Sequence, residues 1–172
     1  KQTTYKEDNF THYLELIGAV LQFHGAEEVD KNVIEILPKG YAETFFGYEN
    51  VVLMFEELEK IVKNPDANRQ WKIAYQMFMY IINTDTSDGQ QYIGSAYGKK
   101  GIWSRWSDYV QTKHGGNKIL IDLLMNDPLR YKKFQFSILN VLPNSSLPAQ
   151  IMQLEQIAKG KSGTRVFGLN SN

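Results

Sequence analysis

Met77-Phe78-Met79-Tyr80-Ile81-Ile82, followed across the polar stretch 83–91 by Tyr92-Ile93-Gly94, decides the fold. Met77, Met79 and Ile81 alternate with Phe78, Tyr80 and Ile82, the period of two that marks a strand. A second short apolar run behind a polar link completes a predicted hairpin. Upstream the period is different. Phe10, Tyr13, Leu14, Ile17, Val20 and Leu21 fall three and four apart and predict a helix over 10–24, stopped by Gly25. The stretch 33–37 reads as strand-like before Pro38. A second helix is predicted over 53–63, ended by Asn64-Pro65, and Asp66 is placed to cap a short helix running through Trp71.

Downstream of the hairpin, helices are predicted over 102–112 and 118–125, with His114-Gly115-Gly116-Asn117 between them and Asn117 capping the second. A third strand is expected over 134–142 and a last helix over 148–159. The order strand, strand, helix, helix, strand, helix predicts an α+β fold, a small three-stranded antiparallel sheet flanked by helices. A mainly helical N-terminal extension precedes it. The expected boundary lies near Gln70, between an acidic region 1–70 and a domain 71–172.

Composition narrows the function classes. The chain has 172 residues, 42% of them apolar, and no cysteine, so disulfide scaffolds and thiolate zinc sites are excluded. Apolar runs stop well short of the ~18 residues of a bilayer span, and Lys1 to Asn9 carry no apolar leader, so a cytoplasmic protein with no membrane partner is expected. The zero net charge hides an asymmetry. Residues 1–98 hold eight Lys/Arg against fifteen Asp/Glu, a net −7, and residues 99–172 hold eleven against four, a net +7. A basic C-terminal part suits a polyanion, and Lys99, Lys100, Lys113, Asn117, Lys118, Lys132 and Lys133 are its candidate nucleic-acid contacts.

The candidate chemistry falls in and just before that basic part. Tyr80 and Tyr92 are either a packing pair or two phenols serving one site. Opposition of the two needs a loop centred near Thr86, whereas a tight Asp88-Gly89 turn sets Tyr92 against Asp85. Arg105, between Trp103 and Trp106, is either stacked on a ring or held to grip a phosphate bidentately. His12 and His24 read as ordinary helix residues, whereas His114 sits in a glycine loop that can bring an imidazole to a ligand. Glu155 is the only acidic residue after Asp127, and a single carboxylate in basic surroundings suits Mg²⁺ shared with a substrate phosphate.

In this order, Phe78-Met79-Tyr80, Tyr92-Ile93-Gly94, Arg105-Trp106, His114, Asn117, Glu155 and Gly168-Leu169-Asn170 resemble the GIY-YIG nuclease superfamily over about residues 77–172. One departure is plain: Phe78 stands where the family usually has glycine. The resemblance implies a nuclease that hydrolyses phosphodiester bonds, in DNA above all, with Mg²⁺ or Mn²⁺ as cofactor. By that likeness Glu155 would bind the metal, Arg105 would neutralise charge on the phosphoryl oxygens, and Tyr80 would orient the attacking water. Tyr92 would hold the phosphate or support Tyr80, His114 offers an alternative proton acceptor, and Asn170 a supporting contact. The competing expectation is a non-catalytic nucleic-acid-binding module on the same scaffold. Residues 1–70 carry no recognised motif; target recognition, homodimer formation and covering of the basic face are all open to them.

Overall fold

The computed structural model describes residues 37–97, 101–143 and 145–171. Within them the hairpin forms as its alternation predicts. Strands β2 (Phe78–Asp85) and β3 (Gln91–Ala96) run antiparallel, with Ile81 opposite Gly94 and Ile82 opposite Ile93. Strand β4 (Phe134–Leu142) pairs with the other side of β2, and its bounds are those expected. Tyr80 faces Asn140 while Ile81 faces Ile138, so Leu139 is the extra residue of a bulge.

The sheet has four strands, not the expected three. Strand β1 (Val52–Met54) pairs with β4, with Leu53 opposite Phe136, and gives the order β1-β4-β2-β3. The helix expected from residue 53 starts later, as α1 (Phe55–Lys63), because the Glu57 carboxylate accepts the Met54 N–H at 2.7 Å and closes the first turn there. Three extended residues are too few to show a period of two in sequence.

Helix α2 (Arg69–Ala74) also begins later than Asp66 suggested. Asn68 precedes it and spends its buried amide elsewhere, accepting from Ala42 N at 2.8 Å and donating to Gly40 O at 2.9 Å. Helices α3 (Gly101–Thr112), α4 (Lys118–Asn126) and α5 (Pro148–Lys161) match the three expected after the hairpin. Asn117 caps α4 as predicted, its Oδ1 accepting from Ile119 N at 2.8 Å and Leu120 N at 3.2 Å.

Pairing parity sorts the side chains onto two faces. One face holds the main core: Leu53, Met79, Ile81 and Phe136 of the sheet pack with Phe55, Leu58, Trp106 and Tyr109 of α1 and α3. The other holds a smaller cluster, in which Tyr80, Leu142 and Phe78 meet Ile151 of α5. Leu37–Asn172 form one compact unit, and Gln70 lies inside it, within α2; residues on either side of it, such as Ile61 and Trp71, share one core. The helix expected over 10–24, and all but the last residue of the strand-like stretch 33–37, lie outside the described residues. Among the described residues no helix is long and apolar enough to cross a membrane.

Candidate active site

Strand β3 is at the sheet edge, so one side of its backbone has no strand partner. Two distant parts of the chain supply that side. Asn170 clasps Ile93, its Oδ1 accepting the Ile93 N–H at 2.9 Å and its Nδ2 donating to the Ile93 carbonyl at 2.9 Å. The Leu169 N–H donates to the Gln91 carbonyl at 2.8 Å. Gly168 approaches the same carbonyl so closely that a Cβ there would lie 2.4 Å from it, which accounts for the glycine of Gly168-Leu169-Asn170. From α5, Glu155 Oε2 accepts the Ser95 N–H at 3.0 Å and also the Ser95 hydroxyl.

The two tyrosines take neither of the registers weighed from sequence. Tyr92 sits opposite Asn83 and Tyr80 opposite Ser95, so they project to opposite faces. On the core face, the Tyr92 ring lies along its own strand over Gly94, where a Cβ would come within 2.8 Å of it. The glycine of the Tyr-Ile-Gly run therefore leaves the space the tyrosine occupies. Arg105, on α3, donates from Nη2 to the Tyr92 hydroxyl at 3.0 Å and from Nη1 to the Gly115 carbonyl at 2.9 Å. Gly115 (φ 55°) lies against the Tyr109 ring, 2.8 Å from where its Cβ would be, so the His-Gly-Gly-Asn loop brings its carbonyl to the guanidinium only as glycine.

Arg105 therefore does not stack on tryptophan. Its Cζ lies 5.3 Å from the centroid of Tyr109, one helical turn along α3. Two of its five N–H donors are used in these bonds. Burial weakens its hold on the proton, but the Tyr109 and Tyr92 oxygens more than compensate and raise its pKa.

On the α5 face, Tyr80 is 3% exposed and donates its hydroxyl proton to the Ile151 carbonyl at 2.6 Å. Burial first, and the Glu155 charge second, raise its pKa above the ordinary phenol value. A phenol held in this way braces α5 against the sheet. Glu155 Oε1 faces the ammonium of Lys159 at 2.7 Å, one turn along α5, and Lys159 is 2% exposed.

The remaining predicted residues divide by use. His114 Nδ1 accepts the Gly116 N–H at 3.0 Å, which puts its own ring proton on Nε2. Lys113 is committed to the fold: its Nζ donates to Glu59 at 3.1 Å and to the Val110 carbonyl at 3.0 Å, over the rings of Phe55 and Tyr131. Lys118, Lys132 and Lys133 are exposed, with Lys132 4.0 Å from Glu56. Lys99 and Lys100 lie outside the described residues. Ser95, Lys159, Asn83 and Tyr109 join the site without having been singled out. The i, i+4 spacings Glu155–Lys159 and Arg105–Tyr109 are the signals that point to two of them.

Among the described residues no three His, Cys, Asp or Glu side chains gather. Mg²⁺ needs no such cage, because it keeps waters and commonly takes one or two carboxylates with substrate phosphates. Glu155 is the carboxylate available for that use: Ser95 fixes Oε2, and Oε1 faces the Lys159 ammonium at 2.7 Å, which a metal ion would have to displace or share. Comparison of the chain with protein-family models, with curated proteins and with solved structures finds no significant match.

Proposed function

We propose that this chain is a metal-dependent endonuclease of the GIY-YIG type, hydrolysing phosphodiester bonds of DNA. The observation that carries the reading is convergence on one edge strand. Residues 92, 93 and 95 of β3 are bonded respectively to Arg105, Asn170 and Glu155, which come from α3, the C-terminal tail and α5. Tyr92 and Ser95 are about 10 Å apart along the strand and project to opposite faces, so Arg105 and Glu155 reach the edge from its two sides. The departure at Phe78 falls on the α5 face, where the ring packs with Tyr80, Leu142 and Ile151, away from Tyr92.

The roles follow from what each group has left to offer. Arg105 retains an N–H on each Nη for phosphoryl oxygens, where charge grows during in-line displacement. Tyr92 accepts from Arg105, so its own hydroxyl proton is turned outward to a water or a phosphate oxygen. The water-orienting role expected of Tyr80 therefore passes to Tyr92, and Tyr80 acts as the brace of α5. His114, with its proton on Nε2, serves as a donor to phosphate or leaving group rather than as the first acceptor. Glu155 would hold Mg²⁺ or Mn²⁺ through Oε1, and such an ion, when bound, supplies polarisation of a phosphate oxygen.

The Lys159–Glu155 pair favours the second reading, a non-catalytic DNA-binding module, because the carboxylate charge is already matched. Incubation of supercoiled plasmid with Mg²⁺, with Mn²⁺ and with EDTA separates the two. Nicked or linear product that requires metal and is lost in Arg105→Lys is the expected result. Salt-sensitive plasmid binding without cutting in either metal would establish the module instead.

A further inference from the structure

Behind Tyr92 the core contains polar atoms that packing alone does not explain. Asn83 is 1% exposed, and neither its Oδ1 nor its Nδ2 has a hydrogen-bond partner; the Tyr109 hydroxyl and Arg105 Nε are likewise buried and unbonded. Buried polar atoms without partners cost stability, and leucine at 83 and phenylalanine at 109 would fill the same space without that cost. These groups form one cluster. Asn83 lies directly opposite Tyr92 in the sheet, and Tyr109 lies one turn from Arg105 on α3. The Tyr109 hydroxyl makes no bond of normal geometry, yet it is near enough to Arg105 and Asn83 that both partly offset the upward push of burial on its pKa. Around the guanidinium, Nη1 is held by Gly115 and Nη2 by Tyr92, and only the Nε side has no hydrogen bond.

We infer that Asn83 and Tyr109 are positioning residues: they form a polar wall on the Nε side of Arg105 that keeps the guanidinium aimed at Tyr92. The inference rests on the nuclease reading for its catalytic consequence, but not for its geometric one. A buried side chain as long as arginine has several rotamers, and the two bonds at its Nη atoms hold only the far end of the guanidinium, so the packing on its Nε edge decides which rotamer delivers that end. A polar wall does this and an apolar one would not, because Nε–H would then turn away toward water. Retaining three orphaned polar groups in the core is then a cost of holding Arg105, in the way that active sites generally give up stability for preorganisation.

The test uses the full chain, labelled with ¹⁵N, and follows hydrogen exchange of the Arg105 Nε–H in the parent protein, in Asn83→Leu and in Tyr109→Phe. Both variants are expected to melt no lower than the parent, to exchange the Arg105 Nε–H at least ten-fold faster, and to cut plasmid about ten-fold more slowly with unchanged KM. Tyr109→Phe removes one oxygen only and carries the test if Asn83→Leu does not fold. Exchange at the parental rate in the folded variants overturns the inference. A parent protein that cuts nothing ends the nuclease reading alone; the exchange rates then uphold or overturn the wall by themselves.

Discussion

The two faces of the β2–β3 hairpin carry the same side chain to different ends. On the core face Tyr92 accepts a hydrogen bond from Arg105. On the α5 face Tyr80 donates a hydrogen bond to the Ile151 carbonyl, and burial with the Glu155 charge holds it protonated. The difference lies in pairing. Twelve positions separate the tyrosines, and the five-residue link between the strands sets Tyr92 against Asn83, so the two phenols end on opposite sides. A motif that reads as a matched pair in sequence is, in the fold, one phenol bonded to a guanidinium and one bonded to a helix carbonyl.

The largest effects are expected where the α5 face meets β3. Glu155→Ala removes a carboxylate that bonds the Ser95 backbone and faces a buried ammonium. Breaking a buried ion pair by deleting one partner costs roughly 3 kcal/mol, so this variant should lose both plasmid cutting and much of its urea resistance. Glu155→Gln keeps an oxygen for Ser95 and should lose cutting with a smaller drop in the urea midpoint. Equal midpoints for the two variants would show that the bond to Ser95 contributes nothing to the fold.

The tyrosines themselves give the sharper contrast. Tyr92→Phe should slow cutting by about 10²-fold, the scale of removing one oriented group at a reacting phosphate, with a melting temperature close to the parent. Tyr80→Phe removes the bond that ties the sheet to the Ile151 carbonyl, which the helix ladder still satisfies, and should cost about 1 kcal/mol of stability, with a cutting rate within a few-fold of the parent once folding is complete. Measured side by side, opposite outcomes, with Tyr80 essential and Tyr92 dispensable, would reverse the assignment of the two faces.

Much of this hairpin was legible before its geometry was known. Alternation named β2 and the start of β3, and the aromatic run 134–142 named β4 to the residue, because these strands are long and apolar enough to show their period. Strand β1 was not legible: three residues leading directly into a helix carry no period, and it is their pairing with β4 that makes them a strand. Within the site, the residue types Tyr92, Arg105, Glu155 and Asn170 stood out, but their partners did not. Which face each tyrosine takes depends on a loop register that composition leaves open. Asn83 and Lys159 look like ordinary polar residues until their burial is known, since nothing in a sequence marks a polar side chain as enclosed.

A third region, away from both tyrosines, shows whether losses on either face are local. At the turn end of β2, the fully buried Asp85 accepts from Ser87 N at 3.0 Å and from Arg130 Nε at 2.5 Å, tying the hairpin to the turn that leads into β4. Burial alone would raise its pKa, but the Ser87 and Arg130 hydrogen bonds outweigh it and hold the carboxyl below its usual range. The sign of the pH dependence follows. The unfolded chain takes up this proton near pH ~3.9, the folded chain only at lower pH, so the stabilisation is complete above that value and is lost as pH falls through the lower, folded one. Asp85→Asn should cost about 1–2 kcal/mol at pH 7 and flatten the acid limb of the stability curve below pH ~4. Because Asp85 bonds neither Arg105 nor α5, the variant's cutting rate at pH 7, measured well below its melting temperature, should equal the parent's. A lower rate there would mean that the tyrosine faces feel the whole sheet, and that the loss in Tyr92→Phe could not be assigned to the phenol alone.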